Sequence, residues 1–128
     1  MSSFNKYPHV FSPIKIGNME VKNRIQFSPM VSSLSTPTGG VSPELLGYIK
    51  YQAQSGVGVI TIGSTPIDHI NGVDFFGALD VTSDDNMTDL RRISEVIHRY
   101  GAKVSCELVR SEAVPPQFAG HRSFCDPR

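Results

Sequence analysis

The sequence has no excess of charge of either sign. Its 12 basic and 12 acidic side chains cancel, and an isoelectric point near 6.9 argues against both the electropositive footprint of a nucleic-acid-binding domain and a polybasic membrane surface. It has no apolar run approaching the length of a membrane-spanning helix. The start, Met1-Ser2-Ser3-Phe4-Asn5-Lys6, lacks the charged-then-apolar order of a secretory leader, so a cytoplasmic protein is expected. Asn86-Met87-Thr88 matches a glycosylation sequon, which carries no weight without a leader. Cysteine is scarce. Cys106 and Cys125 form no C-x-x-C and no spaced ligand set, and Cys106, in an apolar run, is expected to be a buried, reduced thiol. Also missing is a G-x-G-x-x-G after the first candidate strand, which weighs against a small Rossmann-type nucleotide-binding domain.

What is present is an ordinary globular composition, 39% apolar and 19% charged, on a chain of single-domain length. Ile14 and Ile16, then Met19 and Val21, alternate with charged residues around Gly17-Asn18, the pattern of a hairpin. The hairpin runs into a short strand, Ile25 to Phe27, that stops in Ser28-Pro29-Met30, because Pro29 has no N–H to continue a ladder. A polar loop follows, 32–42. Ser42-Pro43-Glu44 starts a helix by capping, fixed φ and the helix dipole; Leu45, Ile49 and Ala53 make its buried stripe, and Gly56 ends it. The run Val57 to Ile62 reads as a strand apolar on both faces, stopping at Gly63-Ser64-Thr65-Pro66. Residues 67–81 read as an excursion loop, where Asp68 and His69 are more simply solvated than a metal or acid–base pair. A second helix begins at Ser83-Asp84-Asp85 and buries Leu90, Ile93, Val96, Ile97 and Tyr100. Its wet face is Arg91, Arg92, Glu95, His98 and Arg99, and Gly101 ends it. Lys103 to Leu108 is a third strand, and 114–128 is Pro-rich and irregular.

Hairpin, β, α, β, α, β predicts parallel strands with right-handed crossovers, the start of either a doubly wound sheet or a β/α barrel. In a barrel, ligands sit at the C-terminal ends of the strands. Those ends are Ser28-Pro29-Met30-Val31, Gly63-Ser64 and Glu107 onward, and small residues at two of them leave room for a ring system. On composition alone, Ser-Pro and Gly-Ser are better read as turn chemistry.

Phe11-Ser12-Pro13-Ile14-Lys15-Ile16-Gly17-Asn18-Met19-Glu20-Val21-Lys22-Asn23-Arg24-Ile25, followed by Ser28-Pro29-Met30, resembles the N-terminal signature of the Old Yellow Enzyme family. These are FMN-dependent NADH:flavin oxidoreductases that include ene-reductases and 2,4-dienoyl-CoA reductases. Gly56-Val57-Gly58-Val59-Ile60 and His98-Arg99-Tyr100-Gly101-Ala102-Lys103 extend the resemblance to about Leu108. It implies a (β/α)8 TIM barrel with FMN at the C-terminal rim, NADH or NADPH as reductant and an enone or enoyl-type substrate. It also implies a flavin lined by Ser28, Pro29, Met30, Val31, Gly63 and Glu107, with Ser33 on the substrate side.

Two departures stand out. Val31 replaces a Thr or Cys whose side chain tunes the flavin, and valine has no hydrogen bond to give. The family's Gln-Leu-x-His-x-Gly-Arg becomes Glu107-Leu108-Val109-Arg110-Ser111-Glu112-Ala113. A charged Glu107 at the pyrimidine edge repels an anionic reduced flavin, so it is protonated there, pairs with Arg110, or impairs FMN binding. A whole barrel takes about 250 residues. The 128 residues here are read as a single partial domain, the N-terminal segment of such a barrel, with roughly three β/α strands. The family's His-x-x-His or His-x-x-Asn pair, proton-donating Tyr and phosphate loops lie on later strands, so no catalytic residue is assigned and the chain alone is expected to be inactive. The alternative is a non-catalytic α/β module that completes its sheet by self-association or by pairing with another chain.

Overall fold

The computed structural model describes residues 6–67 and 77–109. A short helix, α1 (Pro8–Phe11), has proline in its first turn, where a missing N–H costs nothing. Arg24 donates its backbone N–H to the Val10 carbonyl at 2.9 Å and ties this helix to the hairpin's exit. The hairpin is β1 (Ile14–Ile16) and β2 (Met19–Val21), antiparallel with Ile14 opposite Val21. Gly17 turns it at φ +58°, a conformation that a Cβ disfavours.

The hairpin's last residues clamp the rest of the fold. Val21 is buried, and a Cβ on Gly58 would fall 2.7 Å from its Cγ1 and 2.5 Å from the Asn23 carbonyl oxygen. The hairpin end therefore lies directly on the backbone that leads into the second parallel strand. Asn23 donates from Nδ2 to the Gly56 carbonyl at 2.8 Å and accepts from the Ile25 N–H at 3.1 Å. Lys22 donates from Nζ to the Tyr100 carbonyl at 2.7 Å. Two adjacent residues thus satisfy carbonyls just beyond the ends of both long helices, groups that no intrahelical donor reaches.

Three parallel strands follow, in the order β3 (Gln26–Phe27), β4 (Val59–Pro66), β5 (Lys103–Val109). They are joined by α2 (Pro43–Gln54) and α3 (Met87–Arg99). Ser42 caps α2 as its sequence requires, accepting from the Leu45 N–H at 3.0 Å while its hydroxyl donates to the Leu34 carbonyl. Leu45, Ile49 and Ala53 are buried, and Gly56 takes φ +89° just past the helix. A single 3-10 turn, Asp84–Asn86, leads into α3, whose Ile93 and Ile97 are buried and whose end is followed by Gly101 at φ +71°. The two stripes meet over Ile60 and Ala102, with Phe27, Ile62 and Val104 packed against them. Each leucine, isoleucine, valine or phenylalanine side chain among them contributes about 1.5–3 kcal/mol when fully buried. Asn86 of the sequon is buried too, its amide donating to the Asp80 carbonyl at 3.1 Å.

The other face of the sheet is polar. Gln26 donates from Nε2 to Thr61 Oγ1 at 2.7 Å, and Thr61 Oγ1 lies 2.7 Å from Ser105 Oγ, one hydrogen-bonded row across all three strands.

Two expectations are corrected. The second strand begins at Val59 and runs through Gly63-Ser64-Thr65-Pro66 instead of stopping there. Thr65 and Pro66 resume pairing with Leu108 and Val109, and the next N–H, that of Ile67, donates to the Val109 carbonyl at 3.0 Å. Pro66 is tolerated because β3 on its other side is only two residues long and offers no partner at that height. Cys106 is exposed, not buried. Its strand is the last in the sheet's order, and its side chain lines an apolar groove with Ile93, Val104 and Leu108 that no further element among the described residues covers.

Candidate functional site

The strand ends expected to form a rim do come together. Past β3 the chain runs through Ser28 and Pro29 without regular structure, and Met30 makes an isolated antiparallel bridge with Gly63 of β4. Gly63 is the centre of the arrangement. A Cβ there would fall 2.6 Å from the Pro29 Cβ, 2.7 Å from Glu107 Oε2 and 3.0 Å from the Glu107 Cβ. Separations that short do not occur, so the first and third strand ends approach each other only because the second has no side chain.

A bulge brings Gly63 to this place. β4 and β5 pair in step from Val59 opposite Lys103 to Ile62 opposite Cys106, and then resume at Thr65 opposite Leu108. Gly63 and Ser64 therefore stand against Glu107 alone, two residues facing one, which bends the strand and re-aims its side chains. Thr65 is fully buried behind the bulge, and its hydroxyl donates to the Glu107 carbonyl at 2.6 Å.

Of the remaining expected residues, Ser28 is exposed, Pro29 half-buried, and Met30 60% exposed. Met30 lies over Tyr48 of α2, whose hydroxyl donates to the Met30 sulfur at 3.8 Å. The Tyr48 ring in turn meets Phe27 edge-on at 6.3 Å. Val31 is half-buried and, with Met30, Ser64, Gly77 and Ala78, lines a mainly apolar cleft behind the rim. Ser33 belongs to a different contact. It is exposed, adopts φ +54°, and lies against Gly77, where a Cβ would come 2.8 Å from the Ser33 carbonyl oxygen. Arg110, one of the alternatives offered for neutralising Glu107, and the pair Asp68 and His69 lie outside the described residues. Among the described residues no three His, Cys, Asp or Glu side chains gather as a metal site, and no helix is long and apolar enough to cross a membrane.

Sequence reasoning missed the bulge and Thr65. No local signal marked Thr65, which sits between Ser64 and Pro66 in a stretch that reads as turn chemistry; its burial is set by pairing with β5.

An open rim of three parallel strand ends, with helices packed on one face of the sheet, is the architecture with which a β/α barrel begins. The sequence profile of the NADH:flavin oxidoreductase / NADH oxidase family matches residues 9–115, and the chain belongs to that family. It is 32% identical over 102 residues to the NADH oxidase of Thermoanaerobacter brockii, an alignment covering 80% of this chain and 16% of that protein. Among solved structures, a 2-naphthoyl-CoA reductase in complex with 2-naphthoyl-CoA superposes with a TM-score of 0.77 at 25% identity. That match covers 81% of this chain and 16% of the other. The Old Yellow Enzyme of Pichia sp. AKU4542 gives 0.73 at 24% identity, with coverages of 80% and 26%. The fold is thus the N-terminal part of an Old Yellow Enzyme-type TIM barrel, not closed on itself among the described residues, and the chain spans only a minor part of the length of these relatives.

Proposed function

We propose that the chain forms the first wall of an FMN site in an NAD(P)H oxidoreductase of the ene- or enoate-reductase type. Residues 1–128 act as one partial domain, the N-terminal segment of the FMN-binding barrel. The observation that carries this reading is the convergence of Pro29, Gly63 and Glu107 on one rim in a chain of the NADH:flavin oxidoreductase family.

The residues fit a flavin in kind. Ser28, Pro29, Met30 and Val31 offer backbone groups and a small, partly apolar surface, and Gly63 offers no side chain to hold a ring away. Glu107 is exposed, and an ionised carboxylate accepts a hydrogen bond from the pyrimidine N–H of an isoalloxazine. It cannot donate to the carbonyl oxygens beside that N–H, as an amide does. Its carboxylate lies in front of Gly63, so a ring that reaches Gly63 displaces it. Bound FMN would supply acceptance of a hydride from NADH or NADPH and its delivery to the alkene of an enone or enoyl-type substrate, with Ser33 on the substrate side. The residues here bind and orient. None is assigned a proton transfer, and the isolated chain is expected not to turn over. Reduced nicotinamide as electron source goes with a cytoplasmic location.

Titrating FMN into the purified chain, followed by flavin fluorescence and the visible band, tests this reading. Saturable binding is expected, tighter in Glu107→Gln by roughly 3–10-fold, because a donor replaces a charge. No saturable binding by either variant overturns the reading, and equal constants remove Glu107 from it.

One observation favours a second reading, a module that closes its sheet against a second copy or a separate chain carrying the rest of a barrel. Leu108 on β5 is 61% exposed beside Cys106, on an edge strand that invites pairing. A colourless, stable dimer in sedimentation would support it over the flavin site.

A further inference from the structure

The rim depends on a residue that does not face it. Glu107 stands alone against Gly63 and Ser64 at the one place where the β4–β5 ladder loses step, so its backbone lacks the regular pairing that fixes the rest of β5. Thr65 makes good that loss. Its Oγ1 donates its single hydrogen to the Glu107 carbonyl at 2.6 Å, and the same oxygen lies 3.0 Å from Cys106 Sγ. With the hydroxyl hydrogen committed to the carbonyl, the thiol is left as the donor in the second contact. Thr65 is fully buried. It is held in place by strand pairing with Leu108 on the far side of the bulge. On the near side the Glu107 carboxylate lies against Gly63.

We propose that Thr65 is the positioning residue of the rim: by holding the Glu107 carbonyl from behind, its hydroxyl sets where the Glu107 carboxylate stands in front of Gly63, and so how the chain meets the pyrimidine edge of a flavin. The flavin half of this inference rests on the function proposed above; the positioning half does not.

The test uses the full chain with Thr65→Val, which keeps the shape and removes the hydroxyl, and Thr65→Ser, which keeps the hydroxyl. Amide hydrogen exchange reports on the strand end, and FMN titration reports on the rim. In Thr65→Val the amides from Cys106 to Val109 exchange about tenfold faster while those of α2 are unchanged, and FMN binds roughly 3–10-fold more tightly, because the carboxylate that a ring must displace is no longer held in front of Gly63. Thr65→Ser restores both. The FMN effect of Thr65→Val disappears in a Glu107→Ala background, because the hydroxyl acts through that side chain. Unchanged exchange, uniform loosening of the whole chain, a serine variant that behaves like valine, or an FMN effect that survives in Glu107→Ala overturns the proposal. If the wild-type chain takes up no FMN, the flavin reading fails, and the exchange pattern still decides whether Thr65 holds the strand end.

Discussion

Replacing Gly63 by alanine adds one methyl group at the point where three strand ends meet. The added carbon would sit 2.6 Å from the Pro29 Cβ and 2.7 Å from Glu107 Oε2. The carboxylate is the far end of a flexible chain and swings away at little cost. The Pro29 carbon cannot, since it belongs to a ring whose neighbour Met30 is bridged to Gly63 itself. Forcing a methylene into packed surroundings costs about 1–3 kcal/mol. Against this, alanine gains about 0.4–1 kcal/mol by restricting the unfolded chain, because Gly63 has no positive φ to forbid it. The two ranges leave a net loss of about 0–2.6 kcal/mol, centred at about 1.3 kcal/mol, which lowers the melting point by roughly 3–10 °C for a domain of this size. Gly47 supplies the opposite sign. It is exposed inside α2 and has nothing within 4 Å of its would-be Cβ, so Gly47→Ala is expected to stabilise by about 0.5–1 kcal/mol. Urea denaturation of both variants against wild type is the assay. A Gly63→Ala chain more stable than wild type would refute the claim that the strand ends meet over a bare glycine, all the more if Gly47→Ala is stabilised as expected.

Asn23→Ala removes the donor to Gly56 and the acceptor for Ile25 at a site that is nearly buried; it is expected to cost about 1–3 kcal/mol in chemical denaturation. Asn23→Asp, which keeps only the acceptor, should fall between the two. Ser42→Ala leaves the Leu45 N–H and the Leu34 carbonyl without their partner and is expected to cost about 1–2 kcal/mol, with loss of helical circular dichroism at a lower urea concentration. Glu107→Gln, tested in the FMN titration, should leave stability within about 0.5 kcal/mol of wild type, since the side chain is exposed. A larger change would assign Glu107 to folding instead of to the rim.

Much of the scaffold was legible because its signals are local. Ser42-Pro43-Glu44, the stripe Leu45, Ile49, Ala53, and the glycines after both helices each act within a turn of where they stand, and each is found in place. The errors came where the deciding partner is distant in sequence. Pro66 reads as a strand breaker, and only the shortness of β3 makes it acceptable inside β4. Cys106 lies in an apolar run, yet its exposure is set by what covers β5. The motif Val21-Lys22-Asn23, part of the longest recognisable stretch, turned out to fasten helix ends instead of approaching the rim. A family signature thus marks where the fold is tied as much as where chemistry happens. Of the site, the small residues at Ser28, Pro29 and Gly63 were readable, whereas the bulge that lifts Gly63 under Glu107 depends on a register between two strands that no local pattern encodes.

The measurement that bears most directly on the whole account is an amide NMR titration of the labelled chain with FMN. Shifts are expected to concentrate at Ser28, Met30, Val31, Gly63 and Glu107, the residues of the rim, and to leave the hairpin and the clamp at Lys22 and Asn23 still. Shifts centred on the hairpin or on the apolar groove beside Cys106, or no shifts at saturating FMN, would contradict it.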